Sequence, residues 1–585
     1  MVISALNQIT SLLQQMTLAE KIGQITLVDR RAITPEEVRE KSIGAVLSGA
    51  GANPAVNSPQ HWHAMVDEYV TAAQQSRLGI PLLYGVDAVH GHGNVRGAVI
   101  FPHNVGLGAT RDPNLVERIG QITAREVLAT GVRWNFAPAV PVVHDIRWGR
   151  TYESFGEDTA LVTTLALAYI QGLKQPGLDD LRVLPSVKHF VGDGGTTWDS
   201  RLPTPWMNRV DWQEPTELYH LDQGDTRMDE DTLTRLYLLP YIEAIKAGVL
   251  NIMVSHSSWN GVRLHGHHYL LTEVLKTRLG FEGFLVSDWG STSYLNADYY
   301  TSVVTAINAG IDMVMIPQGH QRFMDVLTQA VENGDISMQR LDDAVSRILR
   351  AKIWLGLFEN PRISTEQLNL VGCPEHREVA REAVRKSLVL LKNNNQTLPL
   401  SKAITRVHVA GVAADDIGLA CGGWTIEWQG QPGPITTGTT LLDGLLALTK
   451  VTYHPEGQFA TRADVGIVVV AERPYAEGYG DSPTLALTDE EKCLVQTVRQ
   501  RCNRVVLVIY SGRPLVMSDL IENCDAVVAA WLPGSEAGEI ARVLFGETKF
   551  SGKLPFTWPQ DLSQVPLDGG NSAPLWSFGF GLDCS

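Results

Sequence analysis

An aspartate that ends an apolar run and is followed by an indole and a glycine is well placed for covalent chemistry. Gly283-Phe284-Leu285-Val286-Ser287-Asp288-Trp289-Gly290 has that order. Phe284 to Val286 has the length and composition of a strand, and Gly290 breaks it, so a carboxylate and an aromatic ring reach a strand's C-terminal end together. In a (β/α)8 barrel such ends converge on one mouth. Asp288 is therefore a candidate nucleophile. The alternative is that Ser287-Asp288 merely caps a following helix.

Three further stretches put polar groups at predicted strand ends: Asp87-Ala88-Val89-His90-Gly91, Arg147-Trp148-Gly149-Arg150 with Tyr152-Glu153-Ser154-Phe155-Gly156-Glu157, and Ser186-Val187-Lys188-His189-Phe190. With Asp288 they would gather carboxylates, a guanidinium, an ammonium and an imidazole at one mouth. Such a set binds vicinal hydroxyls, each of which donates and accepts, while Trp289 offers an apolar face to a sugar ring. The cations would keep Asp288 ionised, as a nucleophile must be. Arg150 could instead pair with Glu153 or Glu157, and His189 could be a hydrogen-bonded core histidine.

The elements that would position these residues follow from hydropathy. Residues 7–27 pattern as one amphipathic helix. Short apolar runs then alternate with helical stretches: 43–47, 81–86, 134–140, 183–190, 250–254, 284–286 and 311–316. Seven or so βα repeats over about 350 residues predict a parallel barrel rather than an open sheet. Residues 194–229 interrupt the rhythm with a long polar segment containing aromatics, which reads as a substrate loop. The pattern loosens near Phe358-Glu359-Asn360-Pro361, and a helix is predicted from Glu375 to Leu391. Beyond it, 407–412, 465–471, 505–510 and 526–531 are continuous apolar runs, as in parallel strands covered on both faces. The expected fold is thus α/β, with a (β/α)8-type barrel over residues 1–360, a linker over 361–378 and an α/β sandwich over 379–585.

Composition narrows the function classes. The chain has 585 residues, 44% hydrophobic and 19% charged, which suits two or more domains with sizeable cores. A formal charge of −16 with few basic clusters argues against a phosphate-binding surface, so nucleic acid is not an expected partner. The six cysteines show neither CxxC nor Cys/His metal spacing, so no zinc site or disulfide framework is signalled. No cofactor or metal is expected. No leader pattern opens the chain, and no apolar run approaches the roughly 18 residues of a membrane span. As given, the chain is expected to be cytoplasmic, or periplasmic or secreted if a leader was removed, and a monomer or weak homodimer.

Several motifs recur in order: Glu20-Lys21-Ile22-Gly23-Gln24, Lys188-His189-Phe190, Ser287-Asp288-Trp289, Leu532-Pro533-Gly534 and Ser551-Gly552-Lys553-Leu554-Pro555. Across almost the whole chain this series resembles glycoside hydrolase family 3, in particular its two-domain β-glucosidases and exo-β-glucanases. The resemblance implies a barrel, a linker and a sandwich, with a pocket at the domain interface. It also implies retaining hydrolysis of β-glucosides or β-glucan oligosaccharides. Asp288 matches the family nucleophile. Asp87, Arg150, Lys188, His189, Met253 and His256 fall among its sugar-binding positions. The segment from Val468 to Glu477 is similar to the one supplying the acid/base, which assigns that role to Glu477, with Glu427 and Glu472 as rivals. Gly422 to Gly430 resembles a loop whose second tryptophan, here Trp428, would face Trp289 and sandwich the next sugar. Retaining enzymes set their two carboxylates ~5 to 5.5 Å apart.

Two positions depart from the family pattern. His256 stands where relatives commonly carry a tyrosine, and Tyr294 where an arginine is often found. The rivals within the family are a β-xylosidase and a β-N-acetylglucosaminidase. Relatives of the second kind use an Asp/His dyad, whereas this chain reads Lys188-His189-Phe190-Val191-Gly192-Asp193-Gly194 and then Asp199-Ser200-Arg201, without the dyad histidine. A non-catalytic carbohydrate-binding protein is the alternative from a different class.

Overall fold

The helix predicted over residues 7–27 is in fact two helices and a strand. Val2–Gln15 (α1) ends before Thr17, whose side chain accepts from the Glu20 amide while the Glu20 carboxylate accepts from the Thr17 amide. That reciprocal cap starts Leu18–Gln24 (α2), and the chain then extends as Thr26–Asp29 (β1). The computed structural model describes residues 2–175, 181–207, 218–567 and 572–583. Two compact units emerge from them. One comprises Met1–Val89, Gly120–Pro141 and Tyr169–Val371, the other His90–Ile119, Val142–Ala168 and Gly372–Ser585.

In the first unit β1 is followed by Ala45–Ser48 (β2), Leu83–Val86 (β3), Trp134–Asn135 (β4), Leu184–Pro185 continued as Val187–Phe190 (β5), Asn251–Val254 (β6), Phe284–Val286 (β7) and Val314–Ile316 (β8). The pairings β8–β1–β2–β3–β4–β5 and β5–β6–β7 are all parallel, and a parallel bridge from Val286 to Met313 joins β7 to β8. Eight parallel strands therefore close into a ring, the α/β barrel arrangement in which strand ends share one mouth. The strands are buried along their length, which is why several of them, such as Phe284–Val286, read as apolar runs.

β7, which leads to Asp288, is held from both sides. Its residues Phe284, Leu285 and Val286 are in register with Asn251, Ile252 and Met253 of β6. On its other side the Asp312 carboxylate accepts from the Leu285 amide at 2.8 Å and pairs with Lys276 at 2.7 Å and Arg340 at 2.5 Å. Burial opposes the Asp312 charge, but Lys276 and Arg340 together hold its carboxyl below the usual carboxylate range, so it stays ionised. Ser287 closes the strand, donating its amide to Met313 O while its Oγ accepts from the Met315 amide.

The second unit is built on a six-stranded sheet. Its strands are Val389–Asn393 (β9), Val407–Ala410 (β10), Val451–Tyr453 (β11), Ala463–Ala471 (β12), Cys502–Tyr510 (β13) and Ala526–Trp531 (β14), in the order β9–β14–β13–β12–β10–β11. All neighbours are parallel except the edge strand β9. The helix expected over 375–391 stops at Ser387, and its last residues belong to β9 instead. The chain order reverses between β10 and β12, the point at which open α/β sheets bind ligands beyond their carboxyl ends. Val407, Val409, Val465, Ile467, Val469, Val506, Val508 and Val528 are core on this sheet. The segment at 90–119 joins the same unit because Ile100 packs with Ile417, Cys421, Ile426 and Ile435.

Among the described residues no helix is long and apolar enough to cross a membrane, and Cys373, Cys421, Cys493, Cys502 and Cys524 are free thiols. Cys584 and residues 208–217 of the predicted substrate loop lie outside the described residues.

Candidate active site

At the end of β7 the chain turns sharply at Gly290, whose φ of 62° lies in the left-handed region open to glycine. Ser291–Tyr294 then forms a single 3-10 turn without a side-chain cap, so Asp288 is not a helix cap. Its Oδ1 accepts from the Trp289 amide at 2.7 Å, and its own amide donates to His265 Nε2 at 3.0 Å. Burial, with repulsion from nearby His256, pushes the His265 imidazole down to about 3, so it stays neutral and keeps the lone pair that this bond requires.

Two more imidazoles face the carboxylate. His189 Nε2 lies 3.7 Å from Asp288 Oδ2, and its Nδ1 is 2.9 Å from Asp193 Oδ2. His256 Nε2 is 3.9 Å from Asp288 Oδ1, and the His256 ring meets the Tyr294 ring edge-on at 5.3 Å. Beside them Lys188 Nζ donates to Asp87 Oδ1 at 2.9 Å, the ammonium being almost wholly buried and the carboxylate only partly. Met253 is buried on β6. The Trp289 indole lies over Gly49, where an added Cβ would come within 3.3 Å of it. The first unit thus presents the Asp288 carboxylate among polar groups, with an aromatic ring at its side.

The second unit holds another cluster. Arg150 belongs to it, and its guanidinium forms a fork with Glu153: Nε to Oε1 at 2.7 Å and Nη2 to Oε2 at 2.9 Å. Its remaining Nη1 reaches Glu477 Oε1 at 3.4 Å. Trp424 donates its indole N–H to Glu153 Oε1 at 3.0 Å, and the Arg150 guanidinium lies over its ring. Glu477 follows the carboxyl end of β12 and has a φ of 55°, a conformation that a residue with a Cβ adopts at a cost. Such strain gathers at functional positions. Trp428 is partly exposed and meets Tyr479 edge-on at 5.5 Å.

The loop that carries Glu477 is anchored by buried Arg513. Arg513 pairs with Glu472 at 3.0 Å, and its Nη1 donates to Arg147 O at 3.0 Å and Trp148 O at 3.3 Å. Glu472 also accepts from the Gly512 amide and the Tyr475 hydroxyl. Tyr152 donates to Tyr475 O at 2.6 Å, and the Gly149 amide to Asp481 Oδ1 at 2.8 Å. One arginine therefore joins the segment leading to Arg150 with the loop carrying Glu477.

Of the residues named from the sequence, Asp288, His189, Lys188, Asp87, Met253, His256 and Trp289 lie in the first unit, and Arg150, Glu477 and Trp428 in the second. Two acidic partners were open to Arg150; the structure pairs it with Glu153, while Glu157 holds the Thr557 amide and hydroxyl. His265, Asp193 and Arg513 were not foreseen. His265 lies 23 residues before Asp288, and no motif announced it. Asp193 stands four residues after His189, and that spacing was the available signal. Among the described residues no group of three or more His, Cys, Asp or Glu could hold a metal ion.

Behind the Trp424 loop lie stacked histidines with ring centroids 3.6 Å apart. His90 Nδ1 is 3.0 Å from Phe101 O, its Nε2 is 3.0 Å from Thr425 Oγ1, and His103 Nε2 is 3.0 Å from Gly423 O. Burial pushes His90 down to about 4 and His103 well below the imidazole range, the latter helped by His90. An unfolded histidine titrates near pH ~6.5. As pH falls from there toward 4, the unfolded chain takes up protons that the folded protein refuses, so stability is lost over that window. Melting temperature is expected to drop between pH ~6.5 and 4, and less steeply in His90→Gln than in wild type.

The chain matches the model described as the glycosyl hydrolase family 3 N terminal domain over residues 17–213 and 214–351, and that of the family's C-terminal domain over 388–584. It is 31% identical to the lysosomal beta glucosidase of Dictyostelium discoideum, over 98% of this chain and 75% of that protein. A beta-xylosidase of Formosa agariphila is 30% identical, over 87% of this chain and 76% of its own. Among solved structures, the exo-1,3/1,4-beta-glucanase ExoP from a Pseudoalteromonas species superposes with a TM-score of 0.90 at 39% identity, covering 99% of this chain and 74% of that one.

Proposed function

The chain belongs to glycosyl hydrolase family 3 and is a glycosidase, and from that premise we propose that it is a retaining, exo-acting β-glucosidase acting on β-glucosides and β-gluco-oligosaccharides. The observation that carries the reading is the Asp288 carboxylate at the end of β7, faced by His189 and His256 and tied through its amide to His265. Asp288 attacks the anomeric carbon while Glu477 protonates the departing oxygen. Glu477 then takes a proton from water, which displaces Asp288 and restores the β configuration.

The other residues take roles that fit their chemistry. Asp87 and Lys188 form a charge pair whose acceptor and donor groups are of the kind that suits sugar hydroxyls. His189, its Nδ1 held by Asp193, turns its Nε2 toward the Asp288 carboxylate as a further hydrogen-bonding group. Arg150, already neutralised by Glu153, offers guanidinium protons beside Glu477. Met253 and His256 border the sugar, and Trp289 and Trp428 supply aromatic faces, which tolerate ring rotation and so allow more than one linkage.

The test is turnover of 4-nitrophenyl β-glucoside, β-xyloside and β-N-acetylglucosaminide by the wild-type chain, with proton NMR of the first-formed sugar. The glucoside is expected to be cleaved fastest and to release β-glucose first. Faster xyloside cleavage would transfer the reading to the activity named for the Formosa relative, and α-glucose as first product would overturn the retaining mechanism.

A further inference from the structure

A series of contacts links His256, beside the nucleophile, to the segment ending at Met207. His256 meets Tyr294 edge-on, and the Arg263 guanidinium lies 5.7 Å over the Tyr294 ring. Arg263 also donates to Leu202 O at 2.5 Å, which fixes the segment running to Met207. Within that segment the Trp206 indole N–H donates to Ser293 O at 3.1 Å. Ser293 sits on the 3-10 turn directly after Asp288 and Trp289, one residue before Tyr294.

The same segment is pinned from its other end. The Thr197 amide donates to Asp225 O, the Asp199 amide to His220 O, and Arg201 to Gln223 Oε1. Trp206 nevertheless remains 37% exposed. Its one polar atom is satisfied, so the ring is oriented and its apolar face is left toward solvent. An indole ordered in this way, hydrogen-bonded to the turn that follows the nucleophile, has the chemistry of a sugar platform: an exposed apolar ring with its N–H turned to the protein.

We propose that Trp206 is a stacking subsite for a glucosyl residue of the leaving-group side of the substrate, beyond the sugar attacked by Asp288. It favours longer β-gluco-oligosaccharides over disaccharides. The inference rests on the β-glucosidase reading above and extends it to chain-length preference.

The experiment has a kinetic and a binding arm. For wild type, Trp206→Ala and Trp206→Phe, kcat/KM is measured on 4-nitrophenyl β-glucoside and on a series of laminari- and cello-oligosaccharides from the disaccharides upward. The ratio of tetrasaccharide to aryl glucoside is expected to fall about 3- to 10-fold in Trp206→Ala, the size of one lost stacking contact. Trp206→Phe, which keeps a ring but loses the N–H, should fall less. In the Asp288→Asn background, calorimetric titration with the tetrasaccharides should show weaker binding by the same factor when Trp206 is also Ala.

An unchanged ratio, a loss independent of chain length, or equal tetrasaccharide affinity with and without Trp206 overturns the subsite. Failure of the β-glucosidase reading shows elsewhere, as absence of aryl β-glucoside turnover by wild type.

Discussion

Asp288→Asn is expected to lower kcat on every β-glucoside by several orders of magnitude while leaving the melting temperature close to that of wild type. An amide oxygen does not add to the anomeric carbon, so the double displacement stops before its first intermediate. Folding should survive because an asparagine Oδ1 can still accept from the Trp289 amide and the other contacts that set this turn do not use the residue-288 side chain. The residue-288 amide still donates to His265 Nε2, and Ser287 still binds Met313 and Met315. A 2-fluoro glucoside that traps the glycosyl-enzyme should label wild type on the peptide containing Ser287-Asp288-Trp289, and the variant not at all. A label found on another carboxylate would remove Asp288 from its role.

The second large effect concerns the acid/base. In the proposed mechanism Glu477 has two duties, so its removal should be felt differently in the two half-reactions. With a dinitrophenyl glucoside, whose leaving group needs little protonation, Glu477→Ala should form the glycosyl-enzyme readily and hydrolyse it slowly. Azide needs no base. It should accelerate turnover and yield the β-glucosyl azide, with configuration retained over two displacements. Glu427→Ala should show no such rescue.

Glu472→Ala is expected to fail in another way, because it leaves Arg513 buried without its carboxylate. Breaking such a pair costs about 3–5 kcal/mol, so the loss should appear in thermal stability and not be restored by azide. Rescue of either of these variants in place of Glu477→Ala would reassign the acid, and an α-azide product would reject retention.

These predictions rest partly on features legible in the chain alone. A strand covered on both faces must be apolar at nearly every position, so the runs at 284–286, 250–254 and 526–531 located their strands, and the first placed Asp288 at a strand end. β1 escaped for the complementary reason. It includes Thr26 and Asp29, buried polar residues satisfied locally, Thr26 by Ile22 O at 2.8 Å and Asp29 by the Arg31 amide at 2.8 Å. Without an apolar run to mark it, the helical period of α2 continued through it in the sequence. The break before α2 was nonetheless written in the spacing of Thr17 and Glu20 as a capping box.

Residue types and order alone determined the α/β class and the strand that leads to Asp288. Only the tertiary structure decided which groups meet. It gave Arg150 to Glu153 by committing Glu157 to Thr557, 400 residues away. It brought His265 under the Asp288 amide, set Asp193 behind His189, and spent Glu472 on Arg513. It also placed the segments at 90–119 and 142–168 in the second unit. The physical reason is common to all of these. Periodicity and capping are local and act over a few residues, whereas a charge or lone pair is satisfied by whatever group the folded chain delivers within hydrogen-bonding distance, however remote in sequence.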